Sequence, residues 1–271
     1  DKNAIYFYAQ GPITWKAGRN ITYQQVQHPY STAGYYFLSE EADEADVEIV
    51  KATNEISASG DVVKTFTDRL YHEKELMTAS ESGRQLLGED FRFNSNQTFK
   101  FQIPDYVSGS DVNVLTSFGA HSQGGGASRL SFKCNGTQLG ANSKSDMIDE
   151  VNSQYTHIVM TSSLKTFSLN NTDNFSYSIG LQYGGTLSVA RLDYITVNYL
   201  RQLKLVNGKL SFRYNASKPV ALCMDGATDN TMVWDVTDVK NIYAMNLTKT
   251  DDGVAFAPCA MGEREYVAFD T

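Results

Sequence analysis

The 271-residue chain has few cysteines and little positive charge. Its three cysteines are too few for a disulfide scaffold, and their wide separation excludes the paired spacing of a zinc site. The 23 basic residues against 31 acidic ones give a net charge of −8. This balance argues against a nucleic acid or an anionic membrane surface as a partner.

No run approaches the roughly 20 apolar residues that cross a bilayer, so the chain is expected not to span a membrane. Its first residues carry no signal-peptide pattern, and any export signal is expected to have been removed.

Apolar residues make up 41% of the chain, with 16 tyrosines and 14 phenylalanines. This composition excludes disorder, coiled coil and low-complexity sequence. Short aromatic runs between residues 1 and 38 predict strands. The acidic stretch from Ser39 to Glu48 lacks the glycine and ligand spacing of a calcium loop. It is expected to be a solvated loop or a helix start, with cation binding as the alternative.

The hydrophobic pattern changes twice along the chain. Between Val62 and Gly88, apolar positions recur at spacings near three and four, which makes this segment the chain's best helical candidate. From Phe91 onward the period is two, most regularly between Phe175 and Tyr183, as in half-buried strands. The sequence therefore predicts a mainly β protein, an antiparallel, jelly-roll-like β-sandwich with a smaller β subdomain and little helix.

Three segments are expected within this architecture. Residues 1–60 supply the N-terminal strands and the acidic loop and pair with the C-terminal part, because neither end is long enough to bury a sheet alone. Residues 61–202 form the central sandwich with its leading helical or irregular segment. Residues 203–271 form a C-terminal β subdomain that leads toward a catalytic domain absent from this chain. Within the last segment, Asn207-Gly208 predicts a tight hairpin turn.

The candidate nucleophiles do not form a catalytic set. Cys134 is in phase with Leu130 and Phe132, which predicts a buried core residue. Cys223 and Cys259 form either one structural disulfide or two inert thiols. No histidine can be placed beside a cysteine from the sequence, and the four histidines lack a metal-binding spacing. No catalytic residue, metal ligand or cofactor is therefore expected in this chain.

A glycine-rich stretch between residues 121 and 126 raises the alternative of a phosphate-binding loop. Such a loop ends in Lys-Ser/Thr and leads into a helix whose N-terminus faces the anion. Here the residues that follow, from Ala127 to Leu130, begin a strand instead. A flexible turn is the expected structure.

Four groups of segments carry a recognisable pattern. They comprise 28–38 (His-Pro-Tyr-Ser-Thr and Tyr-Tyr-Phe-Leu), 66–91, 192–201 (Leu-Asp-Tyr-Ile) and 233–238 (Val-Trp-Asp-Val-Thr). In the same order, they resemble motifs of the PorU-like sortases of type IX secretion, within the gingipain-type cysteine peptidases. The matching positions are His72, Glu73, Ser82, Gly83, Arg84, Gly88, Glu89, Asp193, Tyr194, Trp234 and Asp235.

The polar motif residues have a structural interpretation. A paired arginine and glutamate, such as Arg84 and Glu89, can pin an irregular crossing segment to a neighbouring sheet. Gly83 and Gly88 would permit close backbone approach there. A structural role is expected for the set, with a ligand site as the alternative.

The resemblance implies a function for the whole region. This chain would be the non-catalytic N-terminal region of an exported cysteine peptidase, whose catalytic histidine and cysteine lie in an α/β domain beyond Thr271. It would support or dock that peptidase domain and its secreted cargo proteins. An outer-membrane barrel protein is a further implied partner, and the implied location is the periplasm or the outer membrane surface.

The alternative function belongs to a different class. A free-standing carbohydrate-binding or adhesive β-sandwich would use exposed aromatic rings against sugar faces. Trp15, Tyr106, Tyr183 and Trp234 are the candidates, and each could instead be a core residue.

Overall fold

The computed structural model describes residues 6–18, 23–28, 31–37, 50–51, 61–80, 82–140, 146–151 and 158–271. These residues form strands joined by turns and irregular loops, and the described ranges contain no α-helix. None of their elements is a helix able to cross a membrane. The chain divides into two compact units. The first comprises Asp1–Ile13, Tyr30–Asp68 and Arg201–Thr271, and the second comprises Thr14–Pro29 and Arg69–Leu200.

The strands follow one another in this order: β1 (Ile13–Ala17), β2 (Tyr23–Gln27), β3 (Val50–Lys51), β4 (Asp61–Val63), β5 (Thr65–Glu73), β6 (Met77–Ser80), β7 (Ser82–Leu87), β8 (Asn96–Gln102), β9 (Asp111–His121), β10 (Ser128–Cys134), β11 (Thr137–Gln138), β12 (Met147–Ile148), β13 (Val159–Ser168), β14 (Asn174–Gln182), β15 (Val189–Gln202), β16 (Lys209–Ala216), β17 (Val220–Asp225), β18 (Thr231–Asp235), β19 (Tyr243–Ala244), β20 (Thr248–Lys249), β21 (Gly253–Phe256) and β22 (Gly262–Asp270).

The second unit is a β-sandwich. One sheet has the order β11-β10-β14-β8, with β12 also paired to β10, and the other has the order β13-β9-β15-β5. Both sheets contribute to one core, which includes Phe132 and Tyr177 from the first sheet and Phe118 and Ile195 from the second. A hydrogen bond of 3.1 Å joins the hydroxyls of Thr116 and Tyr177 inside this core. Alternating side chains of each strand therefore fill the space between the sheets.

The first unit also contains two sheets. Their strand orders are β16-β22-β18-β19-β3 and β20-β21-β17-β4. Phe212 and Tyr266 of the first sheet share a core with Leu222 and Phe256 of the second. The rings of Phe212 and Tyr266 stack with their centroids 5.1 Å apart. A smaller apolar cluster forms around Trp234, Val236 and Ile242.

Several expectations from the sequence are confirmed. The protein is mainly β, and the alternating segment near residue 175 is β14, with every second side chain buried. Cys134 lies in the core of the second unit. The turn at Asn207-Gly208 has the positive φ angles of 54° and 67° that a two-residue hairpin requires. The glycine-rich stretch is a turn between β9 and β10, as predicted.

The helix expected between Val62 and Gly88 is wrong, because this segment forms the strands β4 to β7. Phe66 and Leu70 are four residues apart, and an even spacing also places two side chains on one face of a strand. Thr65, Phe66 and Thr67 are residues that favour strands. The acidic stretch from Ser39 to Glu48 lies outside the described residues, so its prediction stays open.

Candidate functional site

The motif pair His72-Glu73 lies at the end of β5, an edge strand of the second unit. Because neighbouring residues of a strand point to opposite faces, the two side chains enter different surroundings. His72 contacts Phe99 of β8, with ring centroids 4.8 Å apart. Glu73 instead accepts a hydrogen bond of 2.8 Å from Nε2 of Gln25 on β2. The motif therefore supplies two separate polar contacts.

On the first face, His72 lines a cleft of about 300 Å³ together with Lys74, Glu89 and Lys100. We call this the His72–Glu89 cleft. Nε2 of His72 lies 2.8 Å from Oε1 of Glu89, and Nζ of Lys74 lies 3.0 Å from the same oxygen. The other carboxylate oxygen of Glu89 is buried and has no hydrogen-bond partner among the described residues.

The charge state of Glu89 follows from these contacts. Burial alone would raise the pKa of this carboxyl. Hydrogen bonds from its own backbone and from His72 and Lys74 outweigh burial and lower the pKa below its usual value. Glu89 is therefore a carboxylate at neutral pH, held inside a cleft that exposed lysines flank.

Gly88 brings the backbone of this segment close to β15 and to Lys74, the residue that follows β5. Its N–H donates a hydrogen bond of 2.6 Å to the carbonyl of Leu192 in β15. A Cβ atom at this position would lie 2.8 Å from the carbonyl oxygen of Lys74. The next residue, Glu89, accepts a hydrogen bond of 2.9 Å from the N–H of Leu192 through its carbonyl oxygen. Gly88 thus allows the approach that was expected of a glycine in this motif.

On the opposite face of β5, the carboxyl of Glu73 has a raised pKa. Burial, followed by the negative charges of Asp193 and Glu75, raises the pKa of its carboxyl to about 7. The hydrogen bond from Gln25 opposes this shift. Glu73 therefore exchanges its proton near neutral pH.

Asp193 occupies a β-bulge of β15, where the register with β9 shifts between Leu192 and Tyr194. Its side chain is buried. Oδ2 accepts a hydrogen bond of 2.8 Å from the hydroxyl of Ser117, and Oδ1 accepts one of 3.2 Å from Nε2 of Gln85. A bulge redirects a side chain relative to the regular strand, which explains how an aspartate can be enclosed here. The neighbouring phenol of Tyr194 has a raised pKa, owing to burial and to the charge of Asp193.

The remaining residues of the first motif are only partly described. Ser82, Gly83 and Arg84 belong to β7. The side chains of these three residues lie outside the described part of the structure. The pairing expected for Arg84 therefore stays a prediction, and the described side chains that contact the carboxylate of Glu89 are those of His72 and Lys74.

Trp234 and Asp235 lie in the first unit, at the end of β18. Asp235 is fully buried. Oδ2 of Asp235 accepts a hydrogen bond of 2.7 Å from Nε of Arg264, and Oδ1 accepts one of 2.6 Å from the hydroxyl of Thr237. Asp235 is thus the centre of a buried polar network, which supports a structural role.

The cysteines carry free thiols. The disulfide considered between Cys223 and Cys259 is not formed, because Cys259 instead donates to Asp235 at 3.3 Å and accepts from Arg264 at 3.1 Å. Cys223 lies in β17, opposite Ala255 of β21. Burial is the main cause that raises the pKa of the thiols of Cys223 and Cys259.

The aromatic residues considered for sugar binding separate into two groups. Trp234 and Tyr106 are only 3% and 9% exposed, so neither can offer a ring face to a ligand, and this part of the prediction is wrong. Both lie in apolar clusters that the strand pattern buries. Trp15 is partly buried, with Arg69 5.1 Å above its ring. Tyr183 lines a surface cavity.

The structure also supplies partners that the motifs did not reveal. Lys74 follows the motif directly and could have been noticed as its neighbour. Gln25, Ser117 and Gln85 carry no local signal, because they reach the motif residues through sheet pairing and packing.

Among the described residues, no group of three or more His, Cys, Asp or Glu side chains could hold a metal ion. The arrangement can exchange a proton at Glu73 and present charges at the His72–Glu89 cleft.

Comparison with solved structures gives a strong likeness to PorU. The crystal structure of dimeric, latent PorU from Porphyromonas gingivalis matches with a TM-score of 0.84 at 21% sequence identity, over 97% of this chain. The chain thus has a PorU-like fold and spans about a quarter of the PorU chain, 26%. The carbohydrate-binding module CBM35 from Paenibacillus barcinonensis matches 50% of this chain and 98% of its own at 16% identity, but its TM-score of 0.27 carries no weight. No protein-family model and no curated protein matches the sequence.

Proposed function

We propose that this chain is the non-catalytic β region of a PorU-like cysteine peptidase. The observation that carries the proposal is the PorU-like fold over 97% of the chain. The raised pKa values of the thiols support it, because a nucleophilic cysteine needs a lowered pKa. The motif residues support it as well, since Gly88, Asp193 and Asp235 occupy positions with specific structural contacts. The peptidase domain would then belong to another part of the same protein.

The role proposed for the region is docking, and the His72–Glu89 cleft is the surface to which we assign it. Lys74 and Lys100 are exposed beside a buried carboxylate of Glu89. Exposed lysines steer acidic partners. The unpartnered oxygen of Glu89 could accept a hydrogen bond from a docked backbone or side chain. The partner would be the peptidase domain or a secreted cargo protein with an acidic segment.

The same proposal extends to location and assembly. A PorU-like peptidase would act outside the cytoplasm, in the periplasm or at the outer membrane surface. An outer-membrane barrel protein would be a further partner. Fractionation of cells that carry the native gene tests the location, and recovery of the protein in the cytoplasm would contradict it.

The docking role is tested in the full native gene product. Lys100→Glu is expected to slow the processing of protein cargo while cleavage of a small fluorogenic peptide stays unchanged. Lys133→Glu is the matched control, because Lys133 is also exposed on a strand of the same sheet and the charge change is identical. Equal cargo processing in the two variants would contradict the assignment of docking to this cleft.

A further inference from the structure

A second cavity of the second unit, of about 540 Å³, has no part in the function proposed above. It lies where the turn between β9 and β10 meets the turn between β14 and β15. Gly124 comes from the first turn, Tyr183 and Thr186 come from the second, and Arg92 closes one side. We call it the Tyr183 cavity. Its volume falls within the range of pockets that hold small ligands, roughly 300 to 1,000 Å³.

Close backbone contacts at two glycines hold the two turns together. A Cβ atom on Gly184 would overlap the carbonyl oxygen of Ala127, and one on Gly185 would overlap that of Gln123. Only glycine permits such an approach. The walls of the cavity are therefore fixed by backbone contacts, which limits the ordering that a ligand must impose.

Buried hydroxyl groups fix the base of the same turns. The hydroxyl of Ser122 lies 2.9 Å from that of Ser128 and 3.0 Å from that of Ser188. Ser128 also accepts a hydrogen bond of 3.0 Å from the N–H of Gly184. All three serines are buried. This network adds to the rigidity of the cavity.

The charges near the cavity cancel. Asp90 accepts a hydrogen bond of 2.6 Å from Nη2 of Arg92 and one of 3.3 Å from Nε of Arg191. Burial would raise the pKa of Asp90, but the hydrogen bonds from these arginines hold it below its usual value. Glu150 accepts a hydrogen bond of 3.3 Å from the N–H of Gly125. Two arginines and two carboxylates therefore lie at the cavity or next to residues of its turns, and this balance of charge suits a neutral ligand.

One aromatic residue, Tyr183, lines the cavity, and a second, Phe93, lies next to the lining residue Arg92. The hydroxyl of Tyr183 is shielded from solvent and has no hydrogen-bond partner among the described residues. A buried hydroxyl without a partner carries a free-energy cost that a ligand hydroxyl would remove. Phe93 is 89% exposed, and its ring centroid lies 5.4 Å from the guanidinium carbon of Arg92. An exposed ring beside a polar cavity offers an apolar face to a ligand.

We propose that the Tyr183 cavity is a binding site for a neutral saccharide. A sugar ring has hydroxyls that can pair with Tyr183 and Thr186, and an apolar face that can pack on Phe93. The balanced charges around Arg92 select against an acidic sugar. The proposal concerns a site away from the His72–Glu89 cleft and does not depend on the docking role.

The test uses saturation-transfer NMR with the methyl glycosides of glucose, galactose, mannose and N-acetylglucosamine at millimolar concentration. The wild-type chain is expected to bind at least one of them. Thr186→Trp places an indole at an exposed position of the cavity wall and should weaken that binding by about tenfold or more. Thr137→Trp is the matched control, because Thr137 is exposed on β11 of the same unit. Tyr183→Phe removes only the hydroxyl and should weaken binding by about fivefold.

The outcomes separate the proposal from its alternatives. Binding that Thr186→Trp removes and Thr137→Trp preserves would support a saccharide site in this cavity. Absence of binding for every neutral glycoside would overturn the proposal, as would equal binding by wild type and Thr186→Trp. Binding of glucuronic or galacturonic acid with no neutral glycoside bound would overturn the neutral ligand class.

Discussion

The hydroxyl of Ser117 on β9 donates a hydrogen bond of 2.8 Å to the carboxylate of Asp193, the bulged residue of β15. The two residues are 76 positions apart in the chain. Both are buried, so neither group can exchange this contact for water. The contact therefore ties the bulge to its neighbouring strand and stabilises the irregular part of the sheet.

Replacing Asp193 by alanine should destabilise the protein. Asp193→Ala leaves the hydroxyl of Ser117 buried without its acceptor, and such a loss costs about 1 to 3 kcal/mol. Urea unfolding followed by circular dichroism measures the change. Asp111→Ala is the control, because Asp111 is exposed at the start of β9, and it should change the free energy of unfolding by less than about 0.5 kcal/mol. Equal stability of the two variants would contradict the role given to the bulge.

Glu73 should make stability depend on pH. Its folded-state pKa of about 7 lies above the usual 4.5, so the folded chain binds the extra proton between these values. The free energy of unfolding should therefore fall as the pH rises from about 4.5 to about 7. Glu73→Gln should remove this loss and be more stable than wild type at pH 8, by about 1 kcal/mol once screening at a half-buried site is included.

The Glu73 prediction is checked by urea unfolding at about pH 5 and about pH 8. The advantage of Glu73→Gln should shrink at the lower pH, where the wild-type carboxyl is protonated in the folded state. Asp149→Asn is the control, because Asp149 is exposed. An advantage of Glu73→Gln that is the same at both pH values would show that the carboxyl does not titrate in this range.

Removing the carboxylate of Asp235 should destabilise the protein more than removing an exposed carboxylate. Asp235→Ala leaves Arg264 without its 2.7 Å partner, at a site where the carboxylate is fully buried. Loss of one partner of a buried ion pair costs about 3 to 5 kcal/mol. Asp229→Ala removes another carboxylate that contacts a cation, Lys249, but this pair is exposed and should contribute less than about 1 kcal/mol. Thermal unfolding of both variants measures the difference, and similar melting temperatures would refute the interpretation.

Gly88 should not tolerate a side chain. In Gly88→Ala the new methyl group would meet the carbonyl oxygen of Lys74 at 2.8 Å, and the backbone shift that relieves this contact should cost about 1 to 3 kcal/mol. Gly11→Ala is the matched control, because no atom lies within 4 Å of a Cβ atom there. Chemical denaturation measures both variants. A Gly88→Ala protein as stable as Gly11→Ala would contradict the close packing of this segment.

The sequence pattern predicted the strands that have one buried face. In β14 the side chains of Phe175, Tyr177 and Ile179 alternate with exposed or half-buried positions, and the period of two is visible without any structure. The helix prediction around β5 fails for a physical reason. Phe66 and Leu70 fit a helical spacing of four, which is also twice the period of a strand, so spacing alone does not distinguish the two structures and the strand propensity of these residues does.

The candidate site was predictable only in part. Gly88, Glu89 and Asp193 could be singled out in the sequence because they belong to the motifs that resemble those of PorU-like sortases. The bulge at Asp193 and its partner Ser117 could not be predicted, because register between distant strands is set by the packing of the whole sheet. The Tyr183 cavity depends on two turns whose glycines lie 60 residues apart, as with Gly124 and Gly184.

Peptide hydrolysis tests the central claim most directly. The purified 271-residue chain and the complete product of the native gene are each incubated with fluorogenic peptide substrates under reducing conditions. A PorU-like, non-catalytic region predicts no cleavage by the 271-residue chain and cleavage by the complete gene product. Cleavage by the 271-residue chain alone, lost when Cys223 or Cys259 is replaced by alanine, would contradict the account.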